Sequence, residues 1–172
     1  MLKVIGLTLI FFGCIQTGVG METRLKNQWK LLGEWKEILR YLEKEMTWHH
    51  TTLPEALQYG AAGHQGSLGR LLERAAAEVQ KREGGSFEQV WKSVLNETIS
   101  ENELCREKRY LLEEAAAAFC AQDTVMQKTF LEKSIWHLED AVKEAEREYL
   151  EKGRLYRKLS VAMGMFLIIL LL

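Results

Sequence analysis

The chain has 172 residues, a length that suits one domain with attachments. Ala, Glu, Lys, Leu and Arg supply 85 of the 172, there is a single proline, and Val, Ile and Thr total only 25, which together favour long helices and exclude a sheet-rich fold. A formal charge of −1 gives no basic field for nucleic acid, and three cysteines (Cys14, Cys105, Cys120) with no C-x-x-C pair make no disulfide framework.

The two ends differ from everything between them. Residues 4–19 and 159–172 carry no charge, whereas residues 21–158 carry 22 basic and 24 acidic side chains at helical spacing. As helix, sixteen residues reach ~24 Å and fourteen ~21 Å. A hydrocarbon core of ~30 Å asks for about 20 residues. Spanning therefore requires local thinning or snorkelling. The sequence predicts membrane helices over 1–20 and 159–172. Basic residues gather beside both: Arg24, Lys26 and Lys30 after the first, Arg154, Arg157 and Lys158 before the second. Positive charge collects on the cytoplasmic side, so the expectation is a cytosolic body, 21–158, with both termini across the membrane. The rival reading of the first segment is a signal peptide cleaved after Gly20, which would make the product a secreted bundle.

Between the ends, the apolar residues of the first helix fall at 25, 29, 32, 35, 39, 42 and 46, one helical face. Thr52 three before Glu55, with Pro54 between, predicts a capping box and a short helix to about Ala62. Glycines at 60, 63, 66 and 69 predict a loose connector. A third helix starts near Ser67, carries Leu68, Leu71, Leu72, Ala75 and Val79, and stops at Gly84-Gly85. Ser86 with Gln89 heads a fourth, striped by Phe87, Val90, Trp91, Val94 and Leu95. Ser100 with Glu103 heads a fifth, containing Leu104, Leu111, Leu112 and Ala115–Ala118. Asp123 caps the last, whose seam Leu131, Ile135, Leu138, Val142, Ala145, Tyr149 reaches Tyr156 and Leu159 with Lys152 interrupting it. The expected fold is all-α: an antiparallel helical bundle of about six helices between two terminal membrane helices.

Candidate chemistry is sparse. His49 and His50 are adjacent on a helix and point ~100° apart. His64 lies in the glycine-rich stretch, and no H-E-x-x-H or cysteine pair accompanies the three. No phosphate loop is present, and the many helical glutamates read as solvated faces. Asn96-Glu97-Thr98 fits a glycosylation pattern but falls inside a helix. No enzyme, cofactor, metal, nucleic acid or small-molecule substrate is expected.

The order of motifs resembles the stage III sporulation protein AB family of endospore-forming bacteria. The matching segments are Leu42-Glu43-x-Glu45-Met46 followed by Thr52-Leu53-Pro54-Glu55-Ala56-Leu57, then Gly85 with Trp91, Asp123-x-x-x-Gln127, and Tyr156-x-Lys158-Leu159 before an apolar tail. The glycine-rich 60–70 stretch and the few basic residues before Leu25 depart from the pattern. The resemblance implies a cytosolic domain like the helical bundle of type II secretion F proteins. It also implies a non-enzymatic membrane platform subunit of the mother-cell-to-forespore channel complex, in the mother-cell membrane around the forespore. Its implied partners are the bilayer, the ATPase stage III sporulation protein AA, and sibling stage III membrane proteins. The alternative is a generic membrane-tethered adaptor or sensor outside sporulation.

Overall fold

A computed structural model describes residues 2–81, 86–121 and 123–171, and its described residues are helical with no strand. Helix α1 covers Leu2–Trp48, α2 Leu53–Gly63, α3 Ser67–Lys81, α4 Phe87–Thr98 and α5 Tyr110–Phe119. Helix α6, Thr124–Glu148, passes through a π turn at Tyr149–Gly153 into α7, Arg154–Leu171. Counting that last run once, six rods result among the described residues, as the periodicity predicts.

The chain divides into two compact units. Residues 30–142 form a helical body, and residues 1–29 with 143–172 form a pair of terminal helical segments.

In the body, the predicted stripe of α1 is the core: Leu32, Trp35, Leu39 and Leu42 are fully buried and Met46 nearly so. Leu31 and Ile38 join them, so α1 buries a wider arc than one stripe. It ends where His50 adopts a left-handed φ of 52° and the Thr51 amide donates to the Glu45 carbonyl at 3.2 Å. Glu55 accepts hydrogen bonds from both the Thr52 amide (3.3 Å) and the Thr52 hydroxyl (2.7 Å), which fixes the head of α2.

The glycine-rich stretch is not a loose connector. Gly60 and Gly63 belong to α2 and Gly69 to α3, leaving three residues between the helices. Gly66 has φ +100°, which an L side chain rarely adopts. Gly60 faces Leu72 and Leu42, and a Cβ on Gly69 would overlap the His64 carbonyl. The glycines are there because α2 and α3 pack antiparallel at close range.

Helices α4 and α5 also run antiparallel. Lys92 pairs with Glu113 at 3.7 Å and Trp91 Nε1 donates to the Leu112 carbonyl at 2.8 Å. Ser86 stands at the head of α4 without a side-chain cap. Ser100 and Glu103 do bond (2.8 and 3.0 Å), but they head a single turn, and the fifth helix begins only at Tyr110. Arg109 explains the delay. Its guanidinium donates to Asn96 Oδ1 at 2.7 Å and to the Ile99 carbonyl at 2.6 Å, tying the 99–109 segment to the α4 C-terminus, where a cation is favoured.

Between α1 and α6, Arg40 pairs with Glu139. The predicted α6 seam is buried at Leu131, Ile135, Leu138 and Ala145, with Ser134 and Ala141 beside it.

The expectation of two membrane helices needs correction in one respect. Helix does form at both ends, yet among the described residues no helix is long and apolar enough to cross a membrane. The cause is arithmetic: the uncharged runs fall short of the ~20 residues a hydrocarbon core asks for.

Candidate functional site

The terminal unit pairs the start of α1 with the end of the α6–α7 run. Trp29 stacks on Tyr149 with ring centroids 5.7 Å apart and planes 13° from parallel. Glu22 lies beside Gly153, and Gly18 lies against Ser160 so tightly that a Cβ would overlap its hydroxyl. The order 29–149, 22–153, 18–160 makes the pairing antiparallel. It also answers a question the sequence leaves open: the first and last helices run together through this unit.

The π turn belongs to this pairing. The residues that meet the first helix are Tyr149, Gly153, Tyr156, Leu159, Ser160 and Met163. Tyr149 and Gly153 lie four apart, and in a π turn, whose bonds run i→i+5, a step of four is close to one full turn, so both face the same partner. Gly153 is buried there, and a Cβ on it would press on the Tyr149 ring at 3.3 Å. The seam expected from the sequence continues through Leu159, which the structure leaves 55% exposed.

The basic residues singled out beside the apolar ends are all exposed: Arg24, Lys26 and Lys30 on α1, Arg154, Arg157 and Lys158 on α7. None has an ion-pair partner among the described residues. Their neighbour Lys152 does, bonding Glu148 at 2.8 Å, and that hydrogen bond raises its pKa. A row of helix cations without internal partners is directed outward, toward solvent or an anionic surface.

The other residues singled out are architectural and scattered. Thr52, Pro54 and Glu55 fix the entry to α2. Asp123 heads α6, its carbonyl accepting the Gln127 amide at 2.8 Å and its carboxylate the Val125 amide at 3.4 Å. Trp91 is fully buried at the centre of an aromatic cluster with Trp35, Phe87 and Phe119, centroids 5.7 to 6.0 Å away. Gly85 lies outside the described residues. These positions hold the body together and do not converge on a pocket.

The histidines also stand apart. His49 and His50 are exposed at the end of α1, His64 sits 3.4 Å from Glu34, and His137 sits 3.2 Å from Glu114. Among the described residues no three His, Cys, Asp or Glu side chains are placed to hold a metal ion. Among the described residues of the body, the carboxyls of Glu43, Glu103 and the exposed Glu107 have displaced pKa values, Glu107 lowered by hydrogen bonds from its own amide and from Cys105. Glu43 is raised, first by burial and then by Glu132. At Glu103 burial pushes upward, but hydrogen bonds from the Ser100 amide and hydroxyl and from Ser67 outweigh it and leave the carboxyl below its usual range. Through the Ser100 and Ser67 bonds, Glu103 joins the 100–104 turn to the head of α3, a structural role.

The functional residues missed by sequence reasoning are Gly18, Gly153 and Ser160. Nothing in one sequence marks Gly18 and Ser160 as partners or places Gly153 in a π turn.

Comparison with known proteins places this architecture. A family model described as Stage III sporulation protein AB matches residues 3–172. A relative of that name from Bacillus subtilis (strain 168) is 22% identical over 172 residues, covering the whole of both chains. A solved structure titled Stage III sporulation protein AB superposes with a TM-score of 0.63 at 20% identity, covering 72% of this chain and 96% of its own, which shows a shared fold. With nearly its full length matched by the family model, the chain belongs to the stage III sporulation protein AB family.

Proposed function

We propose that this protein is a non-enzymatic membrane platform subunit of the channel complex that joins mother cell to forespore. Its helical body lies in the mother-cell cytosol, and its apolar ends embed together in the membrane around the forespore. The body docks a secretion-type ATPase, stage III sporulation protein AA, and sibling stage III membrane proteins. Family membership supports the sporulation setting.

The single observation that carries the membrane reading is the terminal helical pair. Trp29 stacks on Tyr149 and Gly18 lies against Ser160, and exposed cations without internal partners flank the uncharged run of each helix. Each run alone is short for a bilayer. Two short helices locked together share the cost of local thinning, and the flanking Lys and Arg side chains snorkel to the interface. The cations favour the cytoplasmic leaflet, which supports a cytosolic body within reach of a cytosolic ATPase.

The test is purification of the full chain from sporulating-cell membranes, with its companions identified by mass. Recovery with stage III sporulation protein AA in the membrane fraction is expected. Recovery in the soluble fraction, or as a chain starting at Met21 outside the cell, refutes the proposal.

A further inference from the structure

We infer that the groove between the paired terminal helices seats one acyl chain of an anionic phospholipid, with the headgroup held at its cationic end. The inference rests on the membrane reading above and goes beyond it, from surface attachment to a bound lipid. The groove has a volume of about 260 Å³. One wall is Thr17, Gly18 and Met21, the other Tyr156, Leu159, Ser160 and Met163. The two aliphatic hydroxyls in it are turned back onto their own helices: Thr17 donates to the Gly13 carbonyl at 3.3 Å and Ser160 to the Arg157 carbonyl at 2.9 Å. The walls therefore favour an apolar occupant. Met21, Leu159 and Met163 are each about half exposed (51, 55 and 53%), so the apolar surface is open, and methionine adapts its shape to what it meets.

Charge gives the occupant a direction. On α1 the stripe Thr17, Met21 ends at Arg24, seven residues on and on the same face. On α7, Arg157 and Lys158 stand just before Leu159, on the same side of the groove along the chain. The opposite end opens toward the uncharged termini. An apolar slot with cations at one end alone fits an amphiphile carrying a negative head. Size selects a chain over a helix. A helix 10–12 Å across occupies roughly 1000 Å³ over two turns, about four times the groove, so it can lie across the slot but cannot enter it.

The full chain in mild detergent, offered phosphatidylglycerol or phosphatidylcholine with identical acyl chains, is read by native mass spectrometry. One phosphatidylglycerol per chain is expected, with phosphatidylcholine retained about tenfold less. Filling the slot with Met21→Trp or Met163→Trp should cut the phosphatidylglycerol adduct about tenfold, and Arg24→Gln should bring it toward the phosphatidylcholine level. Equal retention of the two lipids, or undiminished retention in both filled variants, overturns the inference. So does a filled variant that keeps the lipid and loses a co-purifying membrane protein, which assigns the groove to a partner helix. Flotation with phosphatidylglycerol vesicles separates the two readings. A wild-type chain that floats but holds no adduct removes only the bound lipid, and one that does not float removes the membrane reading with it.

Discussion

Trp91 gives the sharpest test of how the body is held together. Its side chain is fully buried, it has three aromatic neighbours within 6.0 Å, and its indole N–H reaches the Leu112 carbonyl at 2.8 Å. Trp91→Ala removes the ring and leaves a cavity among the helices it joins, which costs about 3–5 kcal/mol. Trp91→Phe keeps an aromatic ring in the cluster and removes the hydrogen bond. Since the Leu112 carbonyl lies within the first turn of α5, it keeps a helical donor, so the loss is near the ordinary hydrogen-bond value plus a small packing defect, about 1–2 kcal/mol. At 2–4 °C per kcal/mol for a chain of this length, the expected falls in Tm are roughly 6–20 °C for alanine and 2–8 °C for phenylalanine. Circular dichroism melts of the full chain in detergent give both numbers. An alanine variant melting within about 2 °C of wild type refutes the aromatic cluster as the tie between α1, α4 and α5.

Three glycine variants separate close packing from backbone freedom. Gly69→Ala should destabilise by about 1–3 kcal/mol, because its Cβ meets the His64 carbonyl. Gly66→Ala should cost about 1–2 kcal/mol through its positive φ. Gly33→Ala, in open space on α1, should stabilise by about 0.5–1 kcal/mol. Urea midpoints check all three, and equal effects at 69 and 33 would contradict the packed α2–α3 hairpin. Glu103 and Glu43 predict opposite pH behaviour. Glu103, lowered, contributes stability above the ordinary carboxylate pKa and loses it as pH falls through its own lower value, so Glu103→Gln should lower Tm at pH 7 and converge with wild type in acid. Glu43, raised, disfavours the fold once ionised, so Glu43→Gln should raise Tm at pH 7, with the gain vanishing as pH falls through its raised value. Parallel pH dependence of the two variants would refute these assignments.

Periodicity reads the helices well where burial is one-sided. The α1 stripe from Leu32 to Met46 and the α6 seam at Leu131, Ile135, Leu138 and Ala145 are core residues as predicted, while Val142 of the seam is half-buried. It under-reads α1 at Leu31 and Ile38, because a helix packed on more than one side buries more than one stripe. It misreads the glycines at 60–69, since spacing alone cannot distinguish a flexible link from two helices in close contact. It starts the fifth helix too early, because the Ser100–Glu103 bond is a local signal, whereas the Arg109 bonds to Asn96 and Ile99 bridge segments ten and more residues apart. Of the candidate site, the basic residues and apolar ends are legible in sequence. The pairing that brings Gly18 to Ser160 is a tertiary fact.

The π turn converts that last point into a test of register. If the turn absorbs one extra residue between two seams that face the same helix, removing a residue from within it should restore an ordinary α-helix without rotating either flank. Leu150 and Glu151 lie in the turn and are exposed. Deleting Glu151 changes the step from Tyr149 to the glycine from four to three, which an α-helix accommodates. Gly153, Tyr156 and Ser160 then keep their faces, and the expected cost is below about 1 kcal/mol. Deleting Glu146, also exposed but in regular helix, offers no such slack. It swings every following residue by about 100°, taking Tyr149 off the Trp29 ring and Ser160 away from Gly18. Losing the stacked pair and exposing buried apolar surface on several seam positions costs several kcal/mol, at about 1.5–3 kcal/mol for each large side chain uncovered. Melts of the two single-residue deletions measure the difference directly. Equal destabilisation would mean that the turn is an accident of local sequence, and that the alignment of the two terminal helices is set elsewhere.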